Sequence, residues 1–529
     1  MSEPLLLVLG LAAAVALAIV SKRFALPYPI VFVLAGTALA FVPGLPPVRI
    51  APDWIFLSIL PPLLFSGGWN TDLALFRSNL RPILLLAIGL VVVSTVAVAA
   101  LAVRIVPGLG WGPAFVLGAI VSPPDAVAAI ATFERFAVPR RIVAVLEGEA
   151  LVNDATALVI YGYAVAAVVF GGFSLPGAAG SFVLVALGGV AVGYAVEWCV
   201  ERLTAVLNRA ELSDSLIDNL IIIGTPYAAY LAGDALHVSA VLATVVAGIR
   251  LGRRSPVVFS PETRLVGSNV WQLWIYVINA YVFLAIGLQL RTIVQSGTRA
   301  LQLLPAALAI SLLLIVVRLL WVYPAAWIPR ALVPGLMRRD PMPSWPQLLL
   351  IGWTGMRGIV SLAAALALPL TVANGAPFPG RDAIAFVTFV VIFVTLVGQG
   401  LSLIPLVRGL RLGREEDGER REVEVRVAAL EAGARAIGAL AAQAHDAERR
   451  EVLDRLRDEY VHRIEHLRSH GARGAAEETG GSRFDHAAQA AALRAERDAI
   501  MKLRDDGEIP DEIFRRVQYD LDLADSRLF

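Results

Sequence analysis

The sequence has little cysteine, little histidine and little charge. Its 529 residues include one cysteine, Cys199, and six histidines. A single thiol cannot form an intramolecular disulfide or a metal–thiolate site, so it does not indicate a redox compartment. Charged residues make up 17% of the chain and hydrophobic residues 57%, whereas a typical soluble chain has about 25% and about 45–50%. This balance indicates a protein that spans a lipid bilayer.

The sequence also lacks the Gly-rich loop ending in Lys-Ser or Lys-Thr that binds nucleotide phosphates. We therefore expect neither a nucleotide-driven pump nor a hydrolytic enzyme, and no bound cofactor. A formal net charge of +1 gives no indication of nucleic-acid binding. Because Met1-Ser2-Glu3 lacks the basic start of a cleaved signal peptide, residues 5–20 are interpreted as a retained first helix.

Long apolar runs dominate the first 410 residues. A helix that spans a bilayer needs about 20 mostly apolar residues, and the sequence contains thirteen candidates. They lie near residues 4–21, 28–45, 52–69, 80–106, 111–132, 141–170, 179–203, 215–233, 235–250, 269–290, 301–328, 346–370 and 382–408. A re-entrant ninth segment would reduce the count to twelve. The predicted fold class is an all-α polytopic membrane protein with about thirteen transmembrane helices.

Basic residues between the spans are distributed unevenly. With the C-terminus placed in the cytoplasm, the cytoplasmic loops before residue 410 contain about 16 Lys and Arg, among them Arg253 and Arg254, and the opposite side about 5. An excess of basic residues on the cytoplasmic side is the rule for multi-pass proteins. The sequence thus predicts an integral plasma (inner) membrane protein with an external N-terminus.

The composition changes after residue 410. Residues 1–410 are predicted to form a transmembrane domain and residues 411–529 a cytosolic helical tail, in which Val427, Leu430 and Ile437 recur at helical spacing. The simplest interpretation is a solvated tail that packs on itself or on a second subunit. A regulatory domain that senses pH or a ligand is the alternative, but no site chemistry is evident in the tail.

Span five contains Ser122-Pro123-Pro124-Asp125 near its middle. Two consecutive prolines remove two backbone donors and break the helix, which we expect to restart at about Pro124. Asp125 would then lie in the first turn of the second half-helix, where exposed N–H groups favour a negative charge. A simple proline kink with a capping aspartate explains the prolines, but not their position at mid-membrane depth.

Span six has carboxylates and an amide on neighbouring faces. At 3.6 residues per turn, Glu147, Ala150 and Asp154 share one face, while Glu149 and Asn153 share the next. Charged groups at bilayer depth are costly and usually mark transport pathways. The alternative, that such groups merely satisfy one another inside the bundle, suits Glu147 or Glu149 better than the whole set.

Span twelve contains three glycines around one arginine, in Gly352-Trp-Thr-Gly355-Met-Arg357-Gly358. Glycine weakens a helix and lets another backbone approach closely. We interpret Arg357 as the partner of a span-six carboxylate; an arginine that extends to the membrane surface is the alternative.

Spans five and twelve also occupy corresponding positions. If spans one to six and eight to thirteen form two inverted repeats, each interrupted span is the fifth member of its repeat. Interrupted spans at corresponding positions point to the binding site of a transporter.

Three stretches resemble the monovalent cation:proton antiporter superfamily, in its electroneutral sodium/proton exchanger branch. They are Ser122-Pro-Pro-Asp125-Ala-Val-Ala, Glu147-Gly-Glu149-Ala-Leu-Val-Asn153-Asp154 and Gly355-Met-Arg357-Gly-Ile-Val-Ser361. The resemblance covers about residues 5–410. It implies broken helices that cross in spans five and twelve, and a homodimer whose core domain moves against a dimerisation domain like an elevator.

The resemblance also implies a site for the transported ions. Asp154 would bind the cation and the proton in competition, and Asn153 would support it. Asp125 would help to coordinate the cation at the crossing of the broken helices, with Ser122 beside it. The Asn-Asp pair resembles the electroneutral branch, because the electrogenic branch typically carries Asp-Asp.

Further residues are implied to have structural or accessory roles. Glu149 would pair with Arg357 and hold the core together. Ser66 and Ala150 stand where many family members carry a glutamate and a serine, whose oxygens contribute to cation coordination. Glu147 and Ser66 are accessory candidates for the ion site.

Sodium/proton exchange, with a role in pH homeostasis, is the first functional hypothesis, and potassium/proton exchange is the second. Weaker coordination would suit a larger, less hydrated ion. A cation channel and a membrane sensor that signals through the tail belong to other classes; the paired interrupted spans argue against the channel. The expected partners are monovalent cations, protons, membrane lipid and a second copy of the chain.

Overall fold

The computed structural model describes residues 3–24, 26–42, 55–133, 136, 138–171, 175–295, 302–333, 336–410, 416–443 and 447–474. Regular structure within these residues is helical, and one isolated antiparallel bridge joins Thr371 to Pro377. The predicted all-α class is therefore confirmed for the part of the chain that the structure describes.

The chain forms two units, Met1–Gly413 and Arg414–Phe529. The helices described in the first unit are α1 (Glu3–Arg23), α2 (Tyr28–Ala40), α3 (Leu60–Asn70), α4 (Leu73–Ser78), α5 (Leu80–Ile105), α6 (Trp111–Val121), α7 (Val127–Phe133), α8 (Arg140–Phe170), α9 (Leu175–Arg209), α10 (Ser215–Ala235), α11 (Ala240–Val258), α12 (Pro261–Gln295), α13 (Leu304–Leu332), α14 (Leu336–Arg339), α15 (Trp345–Trp353), α16 (Ile359–Leu366) and α17 (Arg381–Leu410). Single π-helical segments precede α3 and interrupt α5 and α17.

Seven of the described helices are long and apolar enough to cross a membrane, namely α5, α8, α9, α10, α12, α13 and α17. The shorter helices α2 and α6 are also apolar. Large apolar side chains face outward, as Leu184 and Leu187 of α9 do with 71% and 62% of their surface exposed. Such a surface suits lipid rather than water. The protein is therefore an integral multi-pass membrane protein.

Glycines allow the helices of the first unit to pack backbone against backbone. A Cβ atom on Gly68 of α3 would lie 2.5 Å from the carbonyl oxygen of Val245 in α11. A Cβ atom on Gly248 of α11 would lie 2.6 Å from the carbonyl oxygen of Phe65. Small residues are typical of helix contacts in membranes, where lipid removes most of the hydrophobic drive between helices and packing must supply it.

Two helical segments of the first unit are interrupted by non-helical backbone. Residues 122–126 separate α6 from α7, and residues 354–358 separate α15 from α16. The predicted restart at about Pro124 is wrong by three residues, because α7 begins at Val127. The reason is a long-range contact: the backbone N–H of Asp125 donates to Met356 O at 2.7 Å instead of joining a helix.

The described part of the second unit is a helical hairpin of α18 (Glu416–Gln443) and α19 (Ala447–Gly474). Val427 and Ile464 are 8% and 7% exposed, and Arg468 donates to Glu431 at 2.6 Å across the two helices. A helical tail was predicted here; its residues 475–529 lie outside the described part of the chain.

Candidate functional site

The two non-helical breaks meet in the interior of the first unit. The hydrogen bond from Asp125 to Met356 joins the break before α7 to the break before α16. Both breaks therefore expose helix termini at one place. Unpaired N–H groups at a helix N-terminus carry a partial positive charge, and unpaired carbonyl groups at a C-terminus carry a partial negative charge.

Asp125 lies between two helix N-termini. Its Oδ1 atom accepts from the N–H of Val127, the first residue of α7, at 2.9 Å. Its carboxylate also accepts from the backbone N–H of Ile359, the first residue of α16. A carboxylate in this position satisfies free donors of both half-helices and meets the positive end of both dipoles. Asp125 thus caps the second half-helices instead of lying inside one of them.

Gly358 leaves the space that this carboxylate occupies. A Cβ atom at residue 358 would overlap the Asp125 carboxylate, and it would come within 2.6 Å of Cγ. The sequence signal of three glycines around Arg357 therefore has a local cause at Gly358: a side chain at this position would exclude Asp125 from the N-terminus of α16.

Replacing Gly358 with alanine is expected to displace Asp125, and thereby to lower sharply the cation/proton exchange that the sequence resemblance implies. Overpacking of this kind costs about 1–3 kcal/mol, so a fall in thermal stability should accompany the loss. Gly162→Ala on α8 is the matched control, because no atom lies within 4 Å of a Cβ atom there. The measurements are cation-dependent proton flux in proteoliposomes and the unfolding temperature. Equal flux in both variants would contradict the proposed position of Asp125.

Arg357 forms hydrogen bonds to the carbonyl groups where the first break begins. It is fully buried, and its guanidinium donates to the carbonyl oxygens of Val121 at 3.0 Å, Ser122 at 3.5 Å and Gly355. Val121 ends α6, so the arginine satisfies carbonyl groups at the negative end of that helix dipole. The backbone N–H of Arg357 donates to Thr395 Oγ1 at 3.0 Å, within the π-helical segment of α17.

The predicted ion pair between Glu149 and Arg357 is not the one that the structure forms. Glu149 accepts two hydrogen bonds from Arg318 of α13, at 2.5 and 2.8 Å. Arg318 also donates to Ile351 O at 3.1 Å. Both side chains are almost fully buried, at 1% and 2% exposure. The two-pronged pairing satisfies the carboxylate from α13, while Arg357 is occupied by the carbonyl groups of the breaks.

Asn153 and Asp154 lie on α8 beside the first break. Asn153 is fully buried and donates from Nδ2 to the carbonyl oxygen of Pro124 at 2.7 Å. Its other polar atom, Oδ1, has no hydrogen-bond partner among the described residues. A buried acceptor without a donor is costly, and it is also an oxygen that a cation can use as a ligand.

Asp154 is partly buried and makes no hydrogen bond among the described residues. Its neighbour Asn153 contacts Pro124, the residue before Asp125, so the carboxylates of Asp125 and Asp154 belong to segments that are in contact. Neighbouring carboxylates of this kind attract either a proton or a cation. Carboxylate and amide oxygens are groups that can bind a monovalent cation, and no described residue makes a hydrogen bond to Asp154.

Three further residues were predicted to belong to the site, namely Ser122, Ser66 and Glu147. Ser122 is fully buried, and its hydroxyl donates to Ala119 O at 3.2 Å and accepts from Thr95 Oγ1 at 3.2 Å. Ser122 therefore contributes to the contact between α5 and α6 in this arrangement. Ser66 and Glu147 line a cavity of about 850 Å³ that extends to Val127.

Glu147 is the one carboxylate among the described residues that line this cavity. Arg264 of α12 is the one basic residue there, and it donates to Phe259 O at 2.6 Å. The cavity therefore reaches from α12 to the first residue of α7, which donates to Asp125. The wall of the cavity thus includes a residue two positions from Asp125, where the breaks meet.

Comparison with known proteins identifies relatives along most of the chain. The sequence profile described as "Sodium/hydrogen exchanger, transmembrane" matches residues 10–409. An uncharacterized Na+/H+ exchanger of Mycobacterium tuberculosis (strain ATCC 25618 / H37Rv) is 32% identical over 99% of this chain and 96% of the relative. A sodium, potassium, lithium and rubidium/H+ antiporter of Bacillus subtilis (strain 168) is 31% identical over 96% of this chain and 75% of the relative.

A solved structure has a similar fold. The sodium proton antiporter MjNhaP1 from Methanocaldococcus jannaschii, determined at pH 8, superimposes with a TM-score of 0.54. The match covers 77% of this chain and 97% of that protein, at 16% sequence identity. At this identity the likeness concerns the arrangement of helices.

Proposed function

Because the chain belongs to the sodium/hydrogen exchanger family, we propose that it exchanges a monovalent cation, Na+ in the first place, for H+. The family consists of transporters, so the protein is not an enzyme. One observation carries the proposal: among the described residues Asp154 has no hydrogen-bond partner, and it follows Asn153, whose Oδ1 has none either and whose amide contacts the first break. A carboxylate in this setting binds a proton or a cation, but not both at once.

Competition for Asp154 couples the two fluxes. When a cation occupies the site, the proton leaves, and when a proton neutralises Asp154, the cation leaves. Asn153 positions the site, since its amide is anchored to Pro124 O and its oxygen is free for the ion. Asp125 is fixed by the N-termini of α7 and α16. Exchange then requires that the loaded site face each side of the membrane in turn.

Potassium/proton exchange is the second candidate. It is favoured by Ala150, which has no side-chain oxygen, and by Ser66, whose hydroxyl faces the cavity in place of a carboxylate. The Bacillus subtilis relative is named for four alkali cations. A site with few fixed ligands suits ions of several sizes.

Proteoliposomes that contain a pH dye test the proposal and separate these candidates. The liposomes are challenged in turn with sodium, potassium and lithium. Proton release driven by sodium, with a weaker response to potassium, supports the first candidate. A stronger response to potassium selects the second. Protein-dependent cation flux that moves no protons would contradict antiport and favour a channel.

The same proposal includes the finer architecture. Thirteen spans in two inverted repeats would make spans five and twelve equivalent, and their broken helices would cross where Asp125 meets Met356. A homodimer would provide a stationary frame against which the core moves like an elevator. The asymmetry of Lys and Arg supports a plasma-membrane protein with a cytoplasmic tail and an external N-terminus.

The exchange is expected to be electroneutral. Asp125 serves as an acceptor for two backbone N–H groups, and Asn153 has no proton to lose. Asp154 alone is then neutralised alternately by one proton or one monovalent cation, so the moving charge is the same in both directions. Each uncompensated charge is worth about 2.3 kcal/mol per 100 mV. The steady-state sodium/proton balance should therefore not change with voltage.

This expectation is checked in proteoliposomes clamped with valinomycin at several potentials. A parallel series without sodium measures any exchange of the clamping potassium. A balance point that shifts systematically with voltage would mean that a second proton travels, on Asp125 or on Glu147.

A further inference from the structure

A second cavity lies where the end of α3 and the short helix α4 face α11. Its volume is about 350 Å³. Two arginines line it, Arg77 of α4 and Arg253 of α11. No acidic residue is among its described lining residues. The cavity is therefore a concave basic site that the exchange reaction does not use.

Neither arginine has a charge partner among the described residues. Both are exposed, and neither forms an ion pair or a hydrogen bond with any described residue. The neighbouring arginines of α11 differ. Arg250 pairs with Glu197 at 2.9 Å and Arg254 with Glu201 at 2.6 Å, both on α9. Of the three arginines, Arg253 alone is left without a described partner, and it faces the cavity.

The nearest carboxylate along the chain does not neutralise Arg77. Asp72 caps α4, and its Oδ1 atom accepts from the N–H groups of Ala74 and Leu75 at 2.9 and 3.0 Å. Asp72 is not among the residues that line the cavity. The two guanidinium groups thus present charge to a ligand from outside the protein.

The rest of the cavity wall indicates an amphipathic ligand. Trp69, Leu73 and Ile249 contribute apolar side chains to the same wall as the arginines. Arg77 and Arg253 belong to the group of basic residues that the loop asymmetry assigns to the cytoplasmic face, so the site would lie at headgroup level. Tryptophan is common at the headgroup level of a membrane. A guanidinium group can donate two parallel hydrogen bonds to a phosphate.

We propose that this cavity binds the headgroup phosphate of an anionic phospholipid, held between Arg77 and Arg253 with its glycerol and upper acyl carbons against Trp69. The bound lipid joins α11 to α4, the segment that leads into α5. Basic pockets between membrane helices are suited to anionic headgroups. The proposal concerns binding and does not depend on the exchange function.

The test measures binding to the purified full-length protein in neutral detergent by its unfolding temperature. The probes are short-chain phosphatidylglycerol, short-chain phosphatidylcholine and inorganic phosphate. We expect phosphatidylglycerol to stabilise the protein at concentrations where the other two have little effect. The Arg77→Gln/Arg253→Gln variant should bind it about 30-fold more weakly, and each single variant about 5-fold more weakly.

Arg209→Gln is the matched control, since Arg209 is an exposed arginine in the last turn of α9 and does not line the cavity. An equal loss of binding in this control would overturn the proposal, because it would reveal a general charge effect. Inorganic phosphate that binds as tightly as phosphatidylglycerol would also overturn it, in favour of a free-anion site. If the double variant is unstable, the two single variants still decide the outcome, and unchanged binding in both refutes the site.

Discussion

The Asp154→Asn variant is expected to show no cation-dependent proton flux above that of protein-free liposomes. The amide has nearly the same size as the carboxylate, so the packing of α8 is preserved. It cannot take up or release a proton, and its neutral oxygen attracts a cation weakly. Loss of the one group that alternates between proton and cation removes the coupling of the two fluxes.

Two measurements accompany this prediction. Gel filtration and thermal unfolding should show a folded protein, because Asp154 makes no hydrogen bond that the change would break among the described residues. Glu262→Gln, at the exposed first turn of α12, is the control for removal of a carboxylate and should retain exchange. Appreciable sodium-dependent proton flux in Asp154→Asn would assign the carrier role to another residue, with Asp125 the first to examine.

The breaks could be predicted from sequence because their cause is local. Two prolines at 123–124 remove backbone donors wherever the segment lies, and glycines around Arg357 weaken any helix. The exact restart of α7 was not predictable. It depends on Met356, more than 200 positions away, which accepts the N–H of Asp125 and keeps that residue out of the helix.

The partner of Glu149 was predicted wrongly because the pairing depends on a contact between distant parts of the chain. The sequence pattern favoured Arg357, the arginine in the interrupted span, as the partner. Which arginine reaches Glu149 depends on how α8 packs against α13, and a single sequence does not contain that information. One signal was available: small residues, Ser311 and Ala325, lie seven positions before and after Arg318. They mark the face of α13 that is buried in the bundle.

Prediction of the candidate site depended both on local sequence motifs and on contacts between distant parts of the chain. Asp125, Asn153 and Asp154 were predicted as one site from the motif resemblance, and in the structure Asn153 contacts Pro124, the residue before Asp125. Thr395 was not predicted at all. Its role, to accept the N–H of Arg357, arises from a π-helical segment in α17, and such a segment has no reliable sequence signature.

Breaking the pair between Glu149 and Arg318 is expected to have the largest effect on stability. Removal of one partner leaves a buried, uncompensated charge, which costs about 3–5 kcal/mol. Glu149→Ala and Arg318→Ala should therefore each lower the unfolding temperature strongly. The double variant removes both charges together, so its loss should be far smaller than the sum of the two single losses. Thermal unfolding in detergent measures all three.

Two further double-mutant cycles make the assignment specific. Glu201 and Arg254 form a comparable pair at 2.6 Å, but their side chains are 28% and 45% exposed, so their coupling should stay below about 1 kcal/mol. The cycle of Glu149 with Arg357 should show weaker coupling than the cycle with Arg318, because Arg357 is held by carbonyl groups at the end of α6. Stronger coupling to Arg357 would restore the pairing predicted from sequence. Additive losses for Glu149 and Arg318 would show that the two-pronged contact does not stabilise the protein.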